Sequence, residues 1–226
     1  MTSRRIFLIL FILNALVHVI GQAAAIQILI DVTKPLILPF LSGYYVASSA
    51  FPRSFILLTA LFFCWIGDIA LMFTGYGEIW FMAGLVSFLF GHVFFVLSFR
   101  QFRSGEVEAG LMPVQKFRFS LPVVLAGTGL IVILYPVLGA LKVPVVIYAT
   151  AIIVMVMNAI FRFGRTPSMS FWLVMSGALA FMASDSILAF DKFIGGIKMG
   201  GVWIMTTYIT AQYLIVEGLL KHKDRE

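Results

Sequence analysis

Apolar runs long enough to cross a membrane recur along this whole chain, and no other feature restricts its fold as much. A hydrocarbon core of about 30 Å requires roughly 20 apolar residues in an α-helix. The 226 residues are 62% hydrophobic and only 12% charged, whereas about a quarter of the residues in a soluble domain are charged. Because the charged groups are too few to cover a water-exposed surface, the sequence predicts an integral membrane protein.

The runs predict an all-α, polytopic membrane protein with about eight transmembrane helices, forming a single domain over residues 1–226. The predicted spans are Ile6–Leu29, Pro35–Ala50, Ser54–Thr74, Ile79–Phe99, Phe119–Leu138, Val143–Phe161, Met169–Phe190 and Met199–Leu220. The second span is the shortest, and a location partly at the membrane interface is an alternative for it.

The positions of lysine and arginine predict the orientation. With the N-terminus in the cytoplasm, twelve fall on the inner side: Arg4, Arg5, Arg53, Arg100, Arg103, Lys116, Arg118, Arg162, Arg165, Lys221, Lys223 and Arg225. Four fall outside: Lys34, Lys142, Lys192 and Lys198. Cytoplasmic loops are enriched in these residues, so we expect both termini in the cytoplasm. The short loops favour a bacterial plasma (inner) membrane, and charges at the span ends argue against a nucleic-acid partner.

A weak internal repeat appears when the segment around Asp68 is laid on the segment around Asp185. Each acid follows a small residue and precedes a leucine at the third position, Leu71 or Leu188. The match predicts two four-helix half-repeats in the same orientation, residues 1–110 and 111–226. Chance similarity between apolar helices is the alternative.

Asp68 and Asp185 are the two acids that no shift of the span boundaries can move into water. A charged side chain inside the bilayer is costly and generally faces a cavity or a partner. Both acids lie past the middle of helices that run outward, about 6–9 Å from the midplane at 1.5 Å per residue. We therefore expect the two carboxyl groups to meet across the bundle. The alternative is that each is protonated and only holds helices together.

Four other polar side chains are predicted to support this pair. His92 lies near the middle of the fourth helix, and Tyr208 and Gln212 share a face of the eighth. Lys34 precedes Pro35 at the predicted outer start of the second helix. It is interpreted either as a contact for a lipid phosphate or as an interfacial anchor. Hydrogen bonds between helices are the alternative for the other three.

Two further patterns indicate helix contacts. The first helix carries a polar stripe at four-residue spacing, Asn14, His18 and Gln22, best interpreted as interhelical hydrogen bonding. The fourth carries the small residues Gly84, Ser87 and Gly91, a face that allows close helix approach.

A catalytic metal is not expected. Hydrolytic zinc takes three histidine or carboxylate ligands, and only His18 and His92 are placed to join the two acids, because His222 lies in the tail. The single cysteine, Cys64, excludes a cysteine cluster. We expect no cofactor.

Five segments, in order over positions 33–215, resemble the YhhN family, the lysoplasmalogenases. They are Thr33-Lys34-Pro35-Leu36, Gly67-Asp68, Phe81-x-x-Gly84-Leu85-x-x-Phe88-x-x-Gly91-His92, Ser184-Asp185-x-x-Leu188-Ala189 and Tyr208-x-x-Ala211-Gln212-x-Leu214-Ile215. One departure is Thr207, where an aromatic residue is frequent in the family.

The resemblance implies an eight-helix membrane enzyme that hydrolyses the vinyl ether bond of lysoplasmalogens. The products would be a fatty aldehyde and glycerophosphoethanolamine or glycerophosphocholine. It further implies that Asp68 and Asp185 are the essential pair, that no metal is required, and that the partners are a lysophospholipid substrate and membrane lipid.

This chemistry agrees with the two buried acids. Vinyl ether hydrolysis begins with protonation of the carbon β to the oxygen, so the site needs one neutral acid and one carboxylate to activate water. Two neighbouring carboxyl groups in a low dielectric tend to share one proton. The sequence leaves open which aspartate is the acid.

The main alternative function is a proton-coupled small-molecule or lipid transporter, since repeats in one orientation and buried acids occur there too. A non-catalytic scaffold or receptor is a third. The apolar inner halves of the third and seventh helices, Phe55–Leu58 and Phe171–Met175, favour a one-sided site over a conduit.

Overall fold

The computed structural model describes residues 2–48, 54–103 and 110–222, which fold into eight α-helices without a β-strand. The helices are α1 (Thr2–Ala23), α2 (Gln27–Ser48), α3 (Phe55–Met72), α4 (Glu78–Gln101), α5 (Pro113–Leu134), α6 (Lys142–Ile160), α7 (Ser168–Phe193) and α8 (Gly200–Leu220). The predicted all-α class is confirmed. Of the residues used to predict the spans and the orientation, Ala50, Arg53, Lys223 and Arg225 lie outside the described part of the chain.

The outer surface of the bundle is apolar, as a surface that contacts lipid has to be. Ile9, Leu13 and Ile20 of α1 are each more than half exposed. Six helices, all except α2 and α8, are long and apolar enough to cross a membrane. Helices α2 and α8 have similar lengths of 22 and 21 residues but carry polar residues that face the interior of the bundle. The chain is an integral membrane protein.

The predicted boundary between the first two helices is wrong. Helix α1 ends at Ala23 rather than Leu29, and α2 begins at Gln27 rather than Pro35. The chain reverses at Ala25, whose φ of 53° lies in the left-handed region. Apolar residues continue through this turn, so hydropathy alone does not mark it.

The shifted turn changes the position of Lys34. Pro35 was predicted to be the first residue of α2. It instead lies inside the helix, as does Pro39. Lys34 therefore lies about two helical turns from the start of α2. It is a residue of the bundle wall and not an interfacial residue at a helix start.

Helix α5 begins at Pro113, before the predicted Phe119. The Gln115 side chain accepts a hydrogen bond from the Met112 main-chain N–H at 2.9 Å, and proline is favoured at a first helical position. This local cap extends the helix through the charged Lys116, which hydropathy had placed in the loop.

Small residues bring α3 against α4 and α7 against α8. A Cβ atom at Gly91 would lie 2.8 Å from Cys64 Sγ, and one at Gly177 would lie 3.0 Å from the Ala211 carbonyl oxygen. Ser87 donates a hydrogen bond to the Phe63 carbonyl at 2.6 Å. The predicted small-residue face of α4 is confirmed, and close approach of these helices fixes the two acids relative to their neighbours.

Helix α2 is attached to α3 at the point where its own hydrogen bonding is interrupted. Pro39 has no N–H, so the Pro35 carbonyl lacks its helical donor. The indole N–H of Trp65 donates to that carbonyl at 2.8 Å, which satisfies the group within the bundle.

The end of the bundle that carries the chain termini is closed by polar side chains. Arg162 is fully buried, and its guanidinium donates to the Phe102 carbonyl and to Ser170 Oγ at 3.1 and 2.9 Å. Tyr44 donates to Glu217 at 2.6 Å and accepts from Arg4 at 2.8 Å.

We expect Trp65→Phe to lower the free energy of unfolding by about 1–3 kcal/mol, because the Pro35 carbonyl is then buried without a donor. Pro39→Ala restores the helical N–H to that carbonyl, so Trp65→Phe should cost less in the Pro39→Ala background. Unfolding of the four proteins in detergent micelles measures both costs. Equal costs in the two backgrounds would contradict this role of Trp65.

Candidate active site

Asp68 is a buried carboxyl group on α3, one turn before the helix ends. Only 3% of the residue is exposed, and its Oδ2 accepts a hydrogen bond from the Tyr208 hydroxyl of α8 at 2.7 Å. Lys34 of α2 lines the same cavity as Asp68, and a protonated amine there attracts a carboxylate. A hydrogen bond and a nearby cation are the two features that stabilise a charged carboxylate away from water.

Asp185 has a different set of neighbours on α7. Its Oδ2 accepts a hydrogen bond from the Tyr148 hydroxyl of α6 at 2.7 Å. His92 Nε2 lies 3.8 Å from the same oxygen, which is longer than a direct hydrogen bond. The His92 ring is fully buried and packs edge-on against Tyr148 and Phe181.

The two carboxyl groups line one cavity of about 180 Å³, close enough for their charges to interact. No hydrogen bond joins the two carboxyl groups. Each instead accepts a hydrogen bond from its own tyrosine. Each tyrosine occupies one carboxyl oxygen, which leaves the other oxygen of each acid for water or a ligand. The expected meeting of the acids therefore takes the form of two groups facing one cavity.

The cavity belongs to the end of the bundle opposite the chain termini. Lys34, Tyr208 and the two acids each lie one to two turns from the helix end on this side. Nearer that end, Gln22, Thr74 and Lys192 complete the polar lining. Below the acids, the apolar residues Leu61, Phe95 and Phe181 are fully buried together with the polar residues His92 and Gln212.

An apolar pocket adjoins this polar cavity. Helices α4, α5, α6 and α7 form it, and Leu85, Gly127, Leu130, Ala149 and Met182 are among its lining residues. Five residues line both spaces: Leu71, Phe81, Phe88, Asp185 and Leu188. Asp185 thus lies on the wall that the two spaces share, whereas Asp68 lines only the polar cavity.

The sequence model of the YhhN family matches residues 29–219, which include every helix that lines the polar cavity except α1. The chain belongs to the YhhN family.

Two curated relatives are both named lysoplasmalogenase, one from Mycobacterium bovis (strain ATCC BAA-935 / AF2122/97) and one from Mycobacterium tuberculosis (strain CDC 1551 / Oshkosh). Each is 37% identical to this YhhN protein over 95 residues, or 41% of this chain and 34% of the relative. The chain thus covers about a third of the length of these relatives. No solved structure matches it.

The structure of this YhhN protein brings two of the four predicted supporting residues to the polar cavity. Tyr208 bonds to Asp68, and Lys34 lines the wall beside it. His92 approaches Asp185 from outside the cavity. Gln212 lies deeper, fully buried beside Cys64, and neither amide atom has a hydrogen-bond partner of ordinary geometry.

Sequence reasoning missed Tyr148 and Lys192. Tyr148 is one aromatic residue among many in apolar helices, and only its contact with Asp185 distinguishes it. Lys192 was assigned to an outer loop, but α7 continues to Phe193 and carries it to the cavity mouth.

The polar stripe of α1 divides into two parts. Asn14 donates to the Thr33 carbonyl at 2.9 Å, and His18 hydrogen bonds to Thr33 Oγ1 at 2.8 Å. The predicted interhelical bonding is confirmed for these two residues, whereas Gln22 reaches the cavity. Within residues 2–48, 54–103 and 110–222, no group of three or more His, Cys, Asp or Glu side chains is arranged to hold a metal ion.

We expect Gln212→Met to lower the free energy of unfolding by less than about 1 kcal/mol, because the Gln212 amide makes no hydrogen bond of ordinary geometry that the substitution would remove. Asn158→Leu is the matched control, since Asn158 accepts from Arg100 at 3.0 Å and donates to the Val154 carbonyl at 2.8 Å. That variant should lose about 1–3 kcal/mol. Thermal unfolding in detergent tests both, and a loss with Gln212→Met as large as that with Asn158→Leu would contradict the assignment.

Proposed function

We propose that this protein hydrolyses the vinyl ether bond of lysoplasmalogens by acid and base catalysis from Asp68 and Asp185. The products are a fatty aldehyde and glycerophosphoethanolamine or glycerophosphocholine. The observation that carries the proposal is the pair of tyrosine-supported carboxyl groups on the walls of one polar cavity beside an apolar pocket. Membership of the YhhN family and the names of the two mycobacterial relatives support the same activity.

The reaction needs two carboxyl groups in different protonation states. A neutral acid donates a proton to the chain carbon β to the ether oxygen, which leaves positive charge shared by the oxygen and the adjacent carbon. A carboxylate stabilises that charge and removes a proton from the water that attacks the same carbon. The resulting hemiacetal breaks into aldehyde and alcohol. Two carboxyl groups across one water-accessible cavity suit this sequence, and it needs no metal or cofactor.

The cavity mouth suits a phospholipid headgroup. Lys192 lies nearer the mouth and Lys34 lines the cavity at the level of the acids, and two ammonium groups attract a phosphate through charge-assisted hydrogen bonds. Lys192 also lies over the Phe81 ring, with its Nζ 5.3 Å from the ring centroid. With the phosphate between these lysines, the vinyl ether of a lysolipid lies at the level of the acids.

The charge distribution supports an orientation in which both termini are cytoplasmic, in a bacterial inner membrane. The cavity lies at the opposite end of the bundle, so its mouth then faces the outer leaflet. Fully buried apolar residues such as Leu61, Phe95 and Phe181 lie between the cavity and the Arg162 and Glu217 clusters. This separation favours a one-sided enzyme site over a transport path, which requires access from both sides.

We expect Asp68→Asn and Asp185→Asn each to lower kcat/KM for aldehyde release from 1-alkenyl-lysophosphatidylethanolamine by at least about 100-fold, because each removes a group that moves a proton. Glu78→Gln is the matched control, as Glu78 is an exposed acid at the start of α4 that lines neither the polar cavity nor the apolar pocket. Purified protein in detergent is the material for the assay. Lack of aldehyde from the wild type, or full activity of either site variant, would refute the proposal.

We expect Tyr148→Phe and Tyr208→Phe to lower kcat by about 10-fold or more with little change in KM, because the hydroxyl groups orient the acids without holding the headgroup. Tyr45→Phe is a buried control at the other end, where the Tyr45 hydroxyl accepts from the Ser54 N–H at 3.0 Å. A rise in KM at constant kcat in the site variants would instead indicate a binding role.

A further inference from the structure

The apolar pocket that adjoins the polar cavity is a site for one hydrocarbon chain. Its walls come from α4, α5, α6 and α7 with Leu71 of α3, and its lining is aliphatic or aromatic apart from Tyr148, Asp185 and Ser186. Along α7 the lining extends from Met182 to Phe193, about 16 Å at 1.5 Å per residue. The free volume among these residues is about 60 Å³, so an alkyl chain has to displace flexible side chains such as Met182 as it enters, and the apolar lining excludes a charged headgroup.

A candidate route leads a hydrocarbon chain from the bilayer into this pocket. Helix α5 packs mainly on α6 and touches α7 only sparingly, so the two walls meet loosely on the lipid side. Val132 and Ile133 of α5, next to the lining residues Ile131 and Leu134, are more than half exposed on the outer surface. The contact between α5 and α7 is therefore the candidate entry route for a lipid chain.

We propose that this pocket binds the alkenyl chain of the substrate and that Asp185, at its junction with the polar cavity, is the group that protonates the chain. This inference rests on the proposed hydrolase function. It fixes the direction of the substrate: the headgroup lies by Lys34 and Lys192, the ether oxygen lies in the polar cavity, and the chain leaves past Asp185.

That direction assigns a role to each acid. The first chain carbon carries the ether oxygen and receives water, whereas the second chain carbon receives the proton and lies one bond nearer the chain pocket. Asp185 borders that pocket, and Asp68 borders only the polar cavity, beside Lys34. Asp185 is therefore the neutral acid, and Asp68 is the carboxylate.

The proton transfers balance over one turnover. The double-bond electrons take the proton of Asp185 to form a C–H bond at the second carbon. Water then bonds to the first carbon and gives one proton to Asp68, which produces the hemiacetal. On collapse, Asp68 returns that proton to the departing glycerol oxygen as the C–O bond breaks. The hemiacetal hydroxyl gives its proton to Asp185, which restores both groups.

The chain pocket is tested by narrowing it. Ala149→Phe places a ring in the pocket, so kcat/KM for an octadecenyl lysolipid should fall about 10-fold or more relative to a hexenyl lysolipid. Leu130→Trp narrows the opposite wall and should shift the ratio in the same direction. Ala126→Phe, at an exposed position of α5, should leave it unchanged.

The outcomes separate the two proposals. Absence of aldehyde from the wild type with either chain refutes the hydrolase function itself. An active wild type whose pocket variants treat both chain lengths alike, or whose Ala126→Phe control shifts the ratio equally, overturns the chain site.

The roles of the acids are tested by chemical rescue. Formate is ionised at neutral pH and can replace a missing carboxylate base but not a missing acid. Sodium formate should raise aldehyde release by Asp68→Ala by about 10-fold or more and leave Asp185→Ala unchanged. Rescue of Asp185→Ala, or of neither variant, would overturn the assignment.

Discussion

The constraint behind this architecture is the cost of keeping carboxyl groups inside an apolar bundle. Removing a charged group from water costs several kcal/mol unless hydrogen bonds or an opposite charge compensate. The bundle provides this compensation separately for each acid, by a tyrosine from another helix and, at Asp68, by Lys34. Small residues such as Gly91 and Gly177 let α4 pack closely on α3 and α8 on α7, the two helices that carry the acids. Packing and polar chemistry are therefore coupled at this site.

Much of the fold follows from the sequence because the bilayer permits few solutions. Long apolar runs must be helices, and buried acids must face inward, so α3 to α8 and the facing of Asp68 and Asp185 were predictable. The α1–α2 turn was not, because apolar residues run through it and a non-glycine residue, Ala25, takes the positive φ. The same misplaced turn led to the wrong position for Lys34. The two half-repeats stay a prediction.

The missed parts of the site share a physical cause. In a chain rich in aromatic and aliphatic residues, the tyrosine that holds an acid looks like any packing residue, and Tyr148 gave no signal. The apolar pocket was equally hidden, because the sequence does not distinguish a leucine that lines a pocket from a leucine that packs in the core. Polar residues in apolar helices are conspicuous, but the empty space beside them depends on helix packing that sequence patterns do not encode.

In the proposed reaction, the wall shared by the polar cavity and the apolar pocket also separates the two products after the bond is cut. When a lysolipid bound across Asp185 is cleaved, its two fragments are left in different surroundings. The aldehyde lies among lipid-like side chains next to the α5–α7 seam, whereas the glycerophosphate fragment lies in a wet space lined by lysines. Each fragment can leave by its own exit, one into the membrane and one into water. Separate exits keep the two products from meeting again in the site, so the proposed architecture that holds the substrate would also speed product release.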